Sequence, residues 1–128
     1  MDRALALRLK MHKLTHCGIN APIIFSEVHG GKLTSGWCTV NKSTCWHVWV
    51  VMDDGTIIDV IRTLCILNNP EFKECDFELS LEGTGEMDTE TIENWELYNK
   101  SPSEYWSKQP KNIRDFKSKY KSQFQPKC

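Results

Sequence analysis

The densest apolar stretch of the chain is broken by one polar turn. Trp46 to Met52 is rich in Val and Trp, residue types that suit a pleated, half-buried surface. Asp53-Asp54-Gly55 is a turn signal, and Thr56 to Ile61 is a second apolar run. Two such runs flanking an Asp-Gly turn predict a β-hairpin. Upstream, Trp37 to Val40 predicts a short strand. Ala4 to Leu14, built of Ala, Leu, Arg and Lys, predicts a helix. Thr15 to Ile19 interrupts it. A second helix starts near Asn20 with Pro22 in its first turn, runs through Ile23, Ile24 and Val28, and stops at Gly30-Gly31. Downstream, Leu64 to Leu67 continues a strand or begins a helix, Asn68-Asn69-Pro70 is a turn, and Phe77 to Leu81 is a further strand. Gly83 to Asp88 reads as a loop. Thr91 to Tyr98 reads as a helix capped by Asp88 or Thr89. Ser101 with Pro102 marks another helix start, and Lys111 to Phe124 a charged terminal helix. The expected architecture is a single α+β domain over residues 1–128. A helix packs on a small antiparallel sheet with a central β-hairpin, and a helical C-terminal region spans 88–128.

Within the hairpin, alternation places His47, Trp49 and Val51 on one face. Asp59 is a carboxylate inside an apolar strand, and burying it without a partner is costly. Turn geometry decides whether that partner is His47. A two-residue loop would pair Val50 with Asp59 and put Asp59 on the face opposite His47. A three-residue loop, Asp53-Asp54-Gly55, pairs Met52 with Thr56 and Trp49 with Asp59, so Asp59 and His47 become same-face diagonal neighbours about 7–8 Å apart at the backbone. Gly55 closing a type I turn in the left-handed region favours the three-residue form. The Asp59 carboxylate then fixes one imidazole nitrogen and leaves the other facing a substrate.

Composition narrows the function. The chain has 128 residues, 26 % of them charged, with a net charge of −1, which does not suit a nucleic-acid binder. Charge is unevenly spread, acidic from Glu71 to Glu96 and basic from Lys100 to Lys127, and the basic segment reads as a solvated helix face. The N-terminal sequence lacks the pattern of a secretory signal, and no stretch is long enough to span a membrane, so a cytoplasmic location is expected. In a reducing compartment the six cysteines, Cys17, Cys38, Cys45, Cys65, Cys75 and Cys128, read as free, metal-binding or catalytic thiols rather than disulfides.

A histidine oriented by a carboxylate calls for a nucleophile or a metal. Cys17 precedes the helix starting near Asn20, where the helix dipole lowers a thiol pKa. The backbone N–H groups of Cys17 and Gly18 can hold an oxyanion there. His16 is a rival base, but it is adjacent to the thiol in sequence and so points away. Trp37, Trp46 and Trp49 line a groove or, for at least two of them, pack the core. A zinc reading uses Cys38, Cys45 and His47 with Cys65 or Cys75, without a Cys-x-x-Cys knuckle. A third reading is a binding module whose thiol is unused.

The order Cys17-x-x-Asn20-Ala21, Gly36-Trp37, His47-x-Trp49, Asp54-Gly55, Asp59 resembles small members of the papain-like and transglutaminase-like cysteine hydrolase superfamily, over residues 15–61. The resemblance implies a nucleophile helix packed on a sheet that supplies His and Asp. Cys17 would be the nucleophile, His47 the base and Asp59 its orienter, with Gly18, Asn20 and Trp49 beside the oxyanion or substrate. It further implies a thiol-dependent hydrolase or acyltransferase acting on a peptide, amide or thioester with no cofactor, while the charge balance and the lack of a spanning stretch argue against a nucleic-acid or membrane partner.

Overall fold

The computed structural model describes residues 19–40, 43–59 and 77–124. The elements in chain order are helix α1 (Asn20–His29), strands β1 (Lys32–Val40), β2 (Ser43–Val51), β3 (Ile57–Ile58) and β4 (Phe77–Ser80), and helices α2 (Thr89–Lys100), α3 (Pro102–Ser107) and α4 (Lys111–Phe124). The fold is α+β, with an antiparallel sheet in the order β3-β2-β1-β4. The N-terminal helix expected over Ala4 to Leu14, the segment Leu64 to Leu67 and the turn at Asn68-Asn69-Pro70 lie outside the described residues.

Helix α1 begins behind Ile19 without a side-chain cap. Pro22 sits in its first turn, where a missing N–H costs no helical hydrogen bond. Gly30 ends it at φ 82°, its N–H returning to the Ser26 carbonyl. Strand β1 starts five residues before the expected Trp37, at Lys32. The cause is pairing: Lys32 faces Val51 and Val40 faces Ser43 in unbroken register along all of β2. A long apolar strand therefore recruits the polar Lys32–Gly36 segment as its ladder partner, whatever that segment's own propensity. The described part of β3 is two residues, shorter than the expected run to Ile61, whose final residues lie outside the description.

Side chains alternate across β2. Val48 and Val50 share one buried cluster with Ile58 of β3, Ile23, Ile24 and Phe25 of α1, Tyr105 and Trp106 of α3, and Ile113, Phe116 and Tyr120 of α4. His47 and Trp49 consequently lie on the reverse face. Cys38, buried outside that cluster, lies there too as the direct partner of Cys45.

The C-terminal helices start as their sequences require. Asp88 caps α2 by accepting from the Glu90 N–H, and Ser101 caps α3 by accepting from Glu104 ahead of Pro102. Glu27 of α1 ties these helices together. Its carboxylate accepts from Tyr98 Oη at 2.9 Å and Trp106 Nε1 at 3.1 Å, and pairs with Lys117 at 3.4 Å. Lys117 also lies 4.2 Å from the centroid of the Trp106 ring. Among the described residues no helix is long and apolar enough to cross a membrane.

The end of α1 meets α4 through His29, whose Nε2 lies 2.8 Å from Tyr120 Oη, with Phe25 and Phe124 rings at 4.7 Å. Burial pushes the His29 imidazole below its ordinary value of 6.5. The unfolded chain therefore takes up this proton first, and stability falls as pH drops through the ordinary histidine range. Urea midpoints at pH 7.5 and 5.5 are expected to show this loss. The difference should shrink in His29→Phe, and an unchanged difference would assign the pH dependence elsewhere.

Candidate active site

The β2–β3 turn sets the site. The Met52 N–H donates to the Thr56 carbonyl at 2.9 Å, and the Gly55 N–H donates to the Met52 carbonyl at 2.8 Å. This is the three-residue loop Asp53-Asp54-Gly55, with Gly55 at φ 87° in the left-handed region. Asp54 accepts from the Thr56 N–H at 2.9 Å, and its hydrogen bonds with Thr56 hold its carboxyl below the usual range. Val50 then faces Ile58 and Val51 faces Ile57, which carries Asp59 to the face of His47.

His47 Nε2 lies 2.8 Å from both carboxylate oxygens of Asp59. The Asp59 side chain has 0 % exposure and that of His47 12 %, so the pair meets away from bulk water. An ionised carboxylate only accepts, so Nε2 carries the hydrogen and Nδ1 is left for a second partner. Trp49 braces the ring, stacked at 26° with centroids 6.2 Å apart. The indole fits because Gly36 lies opposite His47. A Cβ there would come within 2.5 Å of both Trp49 Cη2 and the Ser80 carbonyl oxygen.

Two other candidate residues hold different places. Asn20 is 2 % exposed, and its side chain is engaged across the helices. Tyr105 Oη donates to its Oδ1 at 2.5 Å, and its Nδ2 donates to Gln109 Oε1 at 3.4 Å. Trp46 is on the opposite face from His47, edge-on to Trp95 with centroids 6.0 Å apart, against the main core. Cys17 and Gly18 lie outside the described residues, and the helix that follows them packs on the face of β2 opposite His47. Among the described residues no group of three or more His, Cys, Asp or Glu side chains could hold a metal ion. Cys65 and Cys75, invoked for zinc, are outside the description.

No family model, curated protein or solved structure matches this chain. Function must therefore be argued from the site's own chemistry.

Beside the histidine–aspartate pair stands a residue that the sequence offered only as a metal ligand. Cys45 is exposed, two positions before His47 and on the same face. Burial of its sulfur, then the carboxylates of Glu86 and Asp59, push the Cys45 thiol up. A reactive thiolate needs an electropositive setting, so Cys45 is poorly placed to be a nucleophile. Glu86 reaches this position because it bridges β2 in parallel, accepting from the Trp46 N–H at 3.0 Å and donating to the Thr44 carbonyl at 2.9 Å. Nothing in the Gly83 to Asp88 sequence signals that pairing.

His47→Ala is expected to destabilise the fold by about 3 kcal/mol by removing a donor from a buried carboxylate. Asp59→Ala should cost about 2 kcal/mol, and the double variant less than the sum. Additive losses in denaturant midpoints would contradict a coupled pair. Alkylation of Cys45 should shift to lower pH in Glu86→Gln, and an unmoved pH–rate profile would show that Glu86 does not act on the thiol.

Proposed function

We propose that this chain is a thiol-dependent hydrolase or acyltransferase acting on an amide or thioester. The observation that carries the proposal is the buried contact of His47 Nε2 with both oxygens of Asp59, which leaves Nδ1 to take a proton. That is the arrangement a general base needs: a fixed ring, a fixed tautomer and one free lone pair. Cys17 supplies the nucleophile in this reading. His47 takes the thiol proton, the Cys17 sulfur attacks the acyl carbon, and His47 returns the proton to the departing amine or thiol. Water or a second acceptor then cleaves the thioester, again with His47 as base. Asp59 holds the ring and stabilises the imidazolium throughout. The backbone N–H groups of Cys17 and Gly18 serve the oxyanion. Trp49 keeps the ring in plane, and Asn20 acts as a positioning residue through its bond with Tyr105 rather than by touching substrate.

One specific observation favours a second reading, a binding module in which the thiol is unused. Helix α1 is packed against Val48 and Val50, on the far face from His47. Helix α1 and the histidine–aspartate pair therefore occupy opposite faces of β2.

Limited iodoacetamide treatment of the native protein, followed by mass-spectrometric mapping, separates the two. The hydrolase reading requires Cys17 to react at least about tenfold faster than Cys45, since the Cys45 thiol is held protonated. His47→Ala should abolish that advantage. A Cys17 that reacts no faster than Cys45 in the native fold would leave the binding module standing.

A further inference from the structure

A cleft of about 300 Å³ opens at the start of β2, lined by Cys45, Trp46, Glu86, Met87, Asp88 and Thr91. That volume is at the small end for ligand sites and suits one extended side chain rather than a folded ligand. Its walls are of two kinds. Trp46 and Met87 are apolar, and Met87 is 55 % exposed despite its size. Glu86 and Asp88 are acidic, and among the described residues no Lys, Arg or His lines the cleft. The two carboxylates are not equivalent. Asp88 is committed to the N-terminus of α2, accepting from Glu90 N–H at 3.1 Å and Thr91 Oγ1 at 2.9 Å. Glu86 has its backbone fixed by β2, while among the described residues no cationic group pairs with its carboxylate.

We propose that this cleft receives a positively charged aliphatic side chain, lysine or arginine of a peptide substrate, with its stem along Trp46 and Met87 and its charge at Glu86. The cleft adjoins the histidine–aspartate site through Cys45, which lines the cleft and lies two positions before His47 on the same face of β2. The role as a substrate subsite rests on the hydrolase reading, whereas binding of the cation does not. A field of this sign repels anionic groups and favours cations, and an indole adds cation–π attraction. Glu86 is exposed, so the gain is modest and sensitive to salt.

The probes are Nα-acetyl-lysine methylamide, its arginine counterpart, and Nα-acetyl-norleucine methylamide, which keeps the stem without the charge. Titrations of the full chain are followed by amide chemical shifts. Both cationic probes should bind about threefold to tenfold more tightly than norleucine at low salt, with shifts centred on Cys45, Trp46 and residues 86–91. Glu86→Gln should erase the preference, and Glu86→Lys should reverse it between lysine and norleucine. Equal affinities, absence of binding by all three, or a preference that survives in Glu86→Gln would overturn the assignment. A chain that discriminates the cation yet shows no selective Cys17 reactivity would refute the hydrolase reading and leave this one intact.

Discussion

A carboxylate removed wholly from water must meet a donor, and the penalty for failing to do so exceeds what most single contacts contribute. Asp59 is such a carboxylate, and His47 is placed to answer it with both oxygens at 2.8 Å. Much else at this site follows from bringing the two together. The turn must have three residues, since a loop of two would send Asp59 to the opposite face. Gly55 must take a positive φ to close that turn. Trp49 stacks beside the imidazole with the ring planes inclined by 26°, and Gly36 must have no side chain for the indole to fit. The local sequence is arranged around one polar contact on an otherwise apolar strand.

Strand β2 separates two environments with a single alternation of side chains. Val48 and Val50 enter the main core with α1 and the C-terminal helices, while Cys45, His47 and Trp49 belong to the reverse face. Glu27 joins α1 to α2, α3 and α4 through Tyr98, Trp106 and Lys117, so the helical layer is held by a polar hub as well as by apolar burial. Burial and the hydrogen bond to Glu27 together push the Tyr98 phenol far above its ordinary value. The phenol therefore stays a donor across the working pH range.

The outer edge of β2 is shared between two short partners. Ile57 and Ile58 cover its end, and Glu86 bridges its beginning. His47 falls between them, so an acid–base pair sits beside a small acidic cleft. In the proposed reading His47 serves as the base and the cleft takes the positive charge of a peptide substrate.

Local signals in the sequence were enough for the elements with strong punctuation. Asp88, Ser101 and Pro102 announced two helix starts, Gly30 a helix end, and the Asp-Gly turn fixed the register that brings Asp59 to His47. The α+β class followed from the same pattern. Tertiary structure decided what depends on distant partners. The polar segment Lys32–Gly36 became strand because β2 needed a ladder along its whole length. Asn20 was drawn to Tyr105, 85 positions away, which no local pattern encodes. Glu86 reached Cys45 by backbone pairing with no propensity behind it. Which face of β2 each helix covers was likewise settled by packing, because alternation states that two faces exist but not which one a helix will choose.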